Sequence, residues 1–217
     1  MGHWRITPAF ILDDFFVKAP CGRERTAYAL GVSYPGVSNF FTGSFKSPIG
    51  QSRKFFENVM ACNGWLDDHG RGYWFWVIVP KVDPDIAYGA IRLAKNGPDQ
   101  TGSNISMYLA PPFQNTGIIG AKLAPVIPQI LDYAFIDLYW DRFEEIKLST
   151  AKGNTRVEKL IKLLGAELVS TRPQEFHNPE FKEEACYNLS REQWLTSRKQ
   201  WEAMLRGRYT CDNLEVE

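Results

Sequence analysis

PPFQNTGIIGAKL, Pro111 to Leu123, follows an apolar run and opens a helical pattern. Two prolines end the run, a short polar turn follows, and Gly117 and Gly120 stand where the helix begins. One reading of the glycines is loop punctuation. The other is close approach of a ligand, because the first N–H groups of a helix lack intrahelical partners. Together with the helix dipole they form an anion site suited to a diphosphate, and Gly117 puts no Cβ in its way. Neither a GxxxxGK pattern nor a complete GxGxxG is present, which argues against the P-loop and the Rossmann fingerprint.

Upstream, YWFWVIVP (Tyr73 to Pro80) is a continuous aromatic and β-branched run ended by proline, the pattern of a buried strand. VDPD turns the chain, IAYGAIRLAK (Ile86 to Lys95) reads as its antiparallel partner, and NISMYLAP (Asn104 to Pro111) as the third strand of a meander. Further upstream, FILDDFFVK (Phe10 to Lys18) reads as a first strand interrupted by Asp13 and Asp14. SRKFFENVMACN carries Phe55, Phe56, Val59 and Met60 at helical spacing.

Downstream, VIPQILDYAFIDL places Ile127, Leu131, Ala134, Phe135 and Leu138 on one helical face. The spacing predicts a helix from Gly117 to Leu138 that contains Pro125 and Pro128, and prolines inside a helix kink it. RFEEIKLSTA (Arg142 to Ala151) reads as a strand, and NTRVEKLIKLLG as a helix closed by Gly165. AELVSTR and EEACYNLS are two further strands, and REQWLTSRKQWEAML a last amphipathic helix with Trp194, Leu195, Trp201 and Leu205. An antiparallel meander feeding a strand–helix–strand unit predicts an α/β fold with a mixed sheet in a single domain, 1–217. Its core spans about 73–190, followed by a C-terminal helix over 191–210 and a tail over 211–217.

The order of these parts resembles the GNAT acetyltransferases, most closely their RimJ/RimL-like branch, over a little more than half the chain. QNTGII (Gln114 to Ile119) is similar to the family's Q/R-x-x-G-x-G/A loop, with Ile119 where Gly or Ala is usual. NTRVEKLIKLLGAEL (Asn154 to Leu168) is similar to the segment in which an Asn opens a helix ending in "LG" before a strand. ILDYAF resembles the stretch between loop and strand. The resemblance implies a mostly antiparallel sheet flanked by helices, with a splayed strand pair holding acetyl-CoA as co-substrate. It implies cofactor contacts from Gln114, Asn115, Thr116, Gly117, Ile118, Ile119 and Gly120, from the strand residues Met107, Tyr108 and Leu109, and from Asn154. Pro111 and Pro112, which offer no N–H, fit the splay. For Met107 and Leu109 core packing is the alternative reading, and for Asn154 a helix N-cap.

The implied reaction is direct transfer of an acetyl group to an amine, either a protein N-terminus or a small-molecule amine. It requires a polarised carbonyl, a route for the amine proton and a proton for the departing thiolate. The family's proton donor, Tyr or Ser, falls at Ile161 and Val157 here, which carry no proton. Tyr187 and Ser149 are the substitute donors and Glu145 the candidate base. Their plainer readings are a half-buried sheet tyrosine and a solvated strand carboxylate. A GNAT-fold module that binds CoA without catalysis is the competing reading.

Composition limits the alternatives. Of 217 residues, 44% are hydrophobic and 23% charged, as in a soluble globular domain. Lys plus Arg and Asp plus Glu number 25 each, so no global basic field draws in nucleic acid. Cys21, Cys62, Cys186 and Cys211 form no CxxC or Cys/His cluster, and His69 stands alone in a loop, so no metal site is expected. No apolar run reaches the roughly 18 residues of a membrane span, and no signal peptide is evident. The expectation is a cytoplasmic monomer or homodimer.

Overall fold

The fold is described by a computed structural model covering residues 2–21, 57–58, 60–83, 86–97, 103–109, 125–176 and 179–201. The loop Gln114 to Gly120, and with it the glycine expectation, lies outside the described residues.

Among the described residues, ten strands join in one sheet. They are β1 (His3–Trp4), β2 (Phe10–Ile11), β3 (Phe15–Lys18), β4 (Trp65–Leu66), β5 (Arg71–Pro80), β6 (Gly89–Asn96), β7 (Asn104–Leu109), β8 (Glu145–Ala151), β9 (Glu167–Pro173) and β10 (Glu183–Ser190). The main path runs β1-β4-β5-β6-β7-β8-β10-β9, and β3 pairs with both β2 and β5. The sheet thus takes in strands upstream of Tyr73. All pairings are antiparallel except β7 with β8. This is the mixed, mostly antiparallel α/β sheet expected from the sequence.

The run YWFWVIVP is continuously apolar because both faces of β5 are covered. Trp74, Trp76 and Ile78 point into the main core, whereas Phe75, Val77 and Val79 build a second cluster on the other face with Ala90, Phe16 and Met60. Phe10 to Lys18 is not one strand. Asp13 and Asp14 sit in the turn between β2 and β3, which pair through Phe10↔Val17 and Ile11↔Phe16. Short acidic residues favour such turns over strand interiors.

Among the described residues, three α-helices follow the meander: α1 (Val126–Asp132), α2 (Thr155–Leu163) and α3 (Arg191–Ser197). Helix α1 has Pro125 at its N-cap and Pro128 in its first turn, where a missing N–H breaks no intrahelical bond. Neither proline therefore interrupts the hydrogen bonds of α1. The chain then widens into a π-helical turn, Tyr133–Asp137. Ile127, Leu131, Ala134, Phe135 and Leu138 are all buried, as their spacing predicts. Gly165 follows α2 at φ 92°, a conformation that L side chains rarely adopt. Helix α3 opens with a capping box: Gln193 N–H donates to Ser190 Oγ at 3.1 Å, and Ser190 N–H donates to Gln193 Oε1 at 2.7 Å.

Helices α1 and α3 are joined through Asp132. Its carboxylate accepts from Trp194 Nε1 (3.0 Å) and, in a two-point grip, from Arg198 Nε (2.7 Å) and Nη2 (2.8 Å). Replacing Asp132 with Ala removes the acceptor of a buried indole N–H and the two-point grip on Arg198. It is expected to lower stability by about 2–3 kcal/mol, with Tm falling roughly 5–10 °C in a thermal melt.

Candidate active site

Strands β7 and β8 run parallel yet meet at one register pair, Asn104↔Lys147, where Lys147 N–H donates to the Ser103 carbonyl at 2.7 Å. Although β7 runs on to Leu109 and β8 to Ala151, they share no further pair. The two strands diverge into a wedge that opens toward their C-terminal ends. This is the splay that the sequence reading expects.

Backbone groups of successive strand residues face opposite edges. Because the Ser103 carbonyl faces β8, those of Ile105, Met107 and Leu109 face the same way, while Asn104, Ser106 and Tyr108 face β6. Met107 is thus the wedge residue whose N–H and carbonyl are aimed into the opening. On the opposite wall the same alternation turns the backbone of Ser149 inward. The Met107 side chain lies across from Ile91, on the face of the main core, and is 43% exposed. Leu109 is partly buried against that core, so it does pack as well.

Asn154 stands at the mouth, just past the end of β8. A tight turn delivers it: Gly153 adopts φ 95°, and Asn154 N–H donates to the Ala151 carbonyl at 3.0 Å. Asn154 occupies the N-cap of α2, but its side chain makes no capping hydrogen bond. Glu158 instead reaches back from the first turn and accepts from Gly153 N–H, outside the helix, at 2.8 Å. The half-buried Asn154 amide is therefore not consumed by the helix.

The three proton-transfer candidates are not brought together. Tyr187 pairs in register with Leu148, and both side chains enter the main core. Ser149 pairs with Cys186, so it projects from the opposite face and is exposed. Glu145 pairs with Ser190 and precedes the bridging Lys147, at the closed end of the wedge. Tyr187 is 2% exposed. Burial pushes its phenol above the usual tyrosine value, and the negative charge of Glu158 on α2 adds to the rise. Ile161 is buried in the same core and Val157 is 37% exposed, so neither family donor position supplies a proton.

No protein-family model and no curated protein sequence matches the chain. Solved structures do match. A GNAT-family acetyltransferase from Bacillus anthracis is 14% identical, with 85% of this chain and 99% of that one covered and a TM-score of 0.62. The ribosomal L7/L12 α-N-protein acetyltransferase RimL, bound to coenzyme A, is 13% identical, covering 86% and 98%, with a TM-score of 0.60. Spermidine N-acetyltransferase from Vibrio cholerae, bound to CoA and spermine, is 14% identical, covering 84% and 98%, with a TM-score of 0.64. The chain has the fold of the GNAT acetyltransferases.

Proposed function

We propose that this protein is an acetyl-CoA-dependent N-acetyltransferase, built as one domain, that moves an acetyl group directly onto an amine. The observation that carries the proposal is the single-bridge wedge with the Met107 N–H aimed into it. Thioester and amine together supply the chemistry of acyl transfer, and the chain's residues have three tasks. Met107 and Leu109, with Tyr108 between them on the same wall, bind the pantetheine arm along the wedge-facing backbone edge as an added strand would. The Met107 N–H donates to the carbonyl oxygen as that oxygen gains charge. Asn154 holds the arm at the mouth through its uncommitted amide. The loop Gln114, Asn115, Thr116, Gly117, Ile118, Ile119 and Gly120 is proposed to take the diphosphate. Tyr187 is the preferred donor to the leaving thiolate, because its side chain lies on the same main-core face of the sheet as that of Met107. Ser149 is the alternative on the other face. Glu145 lies outside the opening, so the amine proton leaves through water. Supporting relatives with this fold act on a ribosomal protein and on spermidine, and the acceptor class is an amine of either kind.

A second reading, a CoA-binding module without turnover, is favoured by Val157 and Ile161 at the family's donor positions. Calorimetric titration with acetyl-CoA and a thiol-release assay over a panel of amines separate the two. Binding with amine-dependent thiol release supports the enzyme. Binding without release on any amine supports the module, and absence of binding at millimolar acetyl-CoA overturns both.

Asn154→Ala is expected to raise the KM for acetyl-CoA about three- to tenfold, the worth of one neutral hydrogen bond, with kcat little changed. Because its side chain makes no capping bond, Tm should stay within about 2 °C of wild type, whereas a working N-cap lost to Ala costs about 1 kcal/mol.

A further inference from the structure

A second concavity lies beyond the closed end of the wedge. It has a volume of about 570 Å³ and sits between the β4–β5 turn and the link from Leu138 to Glu144. Lys95, on its wall, follows Ile91, the register partner of Met107, along β6. The two levels are separated by about 13 Å at ~3.3 Å per strand residue.

The link is firmly built. Phe143 is fully buried and its N–H donates to the Ala134 carbonyl at 2.9 Å. Lys95 Nζ donates to the Asp141 carbonyl at 2.6 Å and lies 5.6 Å from the centre of the Phe143 ring. The Asp141 carboxylate is gripped by Arg5 and by His3, the latter at 3.0 Å. On the facing turn, Asp67 accepts from the N–H groups of His69 (2.9 Å) and Arg71 (2.8 Å). Asp68 and His69 are thereby set at the rim.

Between these anchors Tyr139 adopts φ 42°, a strained conformation for a bulky residue. Tyr139 and Trp140 are 62% and 85% exposed. Their rings meet at 89° with centroids 4.8 Å apart, forming an aromatic corner that lines the cavity. Neither the strain nor the exposed rings stabilise the fold, yet the surrounding bonds hold both in place. Strain enforced by its surroundings and rigidly presented apolar surface are the marks of a binding site.

The chemistry of the walls selects the ligand. Aromatic faces carry negative potential and attract cations. The lysine and arginine of the wall are already engaged: Lys95 turns under the link onto backbone carbonyls, and Arg142 pairs with Glu144 at 2.9 Å. Burial also holds the Lys95 pKa below its usual value. The Asp68 carboxylate lines the cavity and, among the described residues, has no hydrogen-bond or ion-pair partner. We propose that this cavity binds a small organic cation, an alkylammonium or quaternary ammonium compound, with its charged head between the Tyr139–Trp140 corner and Asp68. The site is separate from the acetyl-transfer wedge and does not depend on that reading.

The test is a titration of the ¹⁵N-labelled full chain with tetramethylammonium chloride and n-butylammonium chloride, following tryptophan indole N–H resonances. The Trp140 signal is identified by its loss in Trp140→Phe. A saturable shift of that signal with at least one of the two cations, in the millimolar range, is expected, and none with sodium chloride at equal ionic strength. Trp140→Ala, read through the neighbouring backbone amides, should weaken binding about tenfold, and Asp68→Asn about three- to tenfold. Both positions are exposed, and an unchanged remainder of the spectrum shows that each variant is folded. Two results overturn the proposal: no saturable shift with either cation, or undiminished affinity in Trp140→Ala. A saturable shift with sodium benzoate in place of the cations overturns the assigned ligand class.

Discussion

Replacing Met107 with proline is expected to lower kcat about 10²- to 10³-fold while the protein stays folded, the effect of removing one donor from an oxyanion-type site. The substitution deletes the N–H, and it also replaces the side chain and restricts φ. In the interior of a sheet proline normally removes a ladder hydrogen bond, but here the Met107 N–H faces away from β6 and into the wedge. The β6–β7 ladder, which pairs Gly89↔Leu109 through Ala94↔Asn104, loses no bond. Ser106→Pro is the control. Its N–H faces β6, so it should lower Tm more than Met107→Pro does and disturb catalysis only through the fold. Steady-state kinetics with acetyl-CoA and a thermal melt of both variants decide the matter. A Met107→Pro enzyme with wild-type kcat would remove the wedge from the mechanism. Met107→Leu keeps the N–H and should retain activity, which separates backbone from side chain.

The sheet was legible because its signals are local. A continuous Trp74 to Pro80 run can only be satisfied by cover on both faces, and Gly165 marks the end of α2 through a backbone conformation few other residues adopt. The Asp13–Asp14 pair misleads because nine residues that alternate poorly as one strand make a good hairpin, and only the pairing reveals it. The splay was anticipated from Pro111 and Pro112 together with the family resemblance. Its pivot at Asn104↔Lys147, by contrast, is a relation between residues far apart in sequence and has no local signature. The same holds for the catalytic candidates. Ser149 and Tyr187 look equivalent as polar residues on neighbouring strands, yet the register Cys186↔Ser149 sends them to opposite faces. The Tyr139–Trp140 corner was missed because its meaning is exposure, and exposure of two aromatics in a link is invisible until the core is assembled around Phe143.

Tyr187→Phe is expected to lower kcat about 10²-fold or more, within the range for losing a positioned proton donor, while leaving the KM for acetyl-CoA near wild type. The substitution keeps the ring that fills the core beside Leu148 and Ile161 and removes only the hydroxyl. The pH dependence supplies the sharper test. A phenol raised above its usual value binds its proton throughout the neutral range and loses it only when pH climbs past the ordinary tyrosine pKa near 10. Donation by Tyr187 therefore produces no falling limb in kcat below about pH 10, and any limb that Tyr187→Phe abolishes must lie above that point. Glu158 gives the sign a second check. Its negative charge helps to raise the phenol, so Glu158→Gln should lower the Tyr187 pKa and move the alkaline limb to lower pH. The same change also weakens the acceptor for Gly153 N–H, so Tm is measured alongside. Should Tyr187→Phe retain full kcat while Ser149→Ala loses it, the donor lies on the exposed face of β8 and the thiolate leaves on the side away from α2.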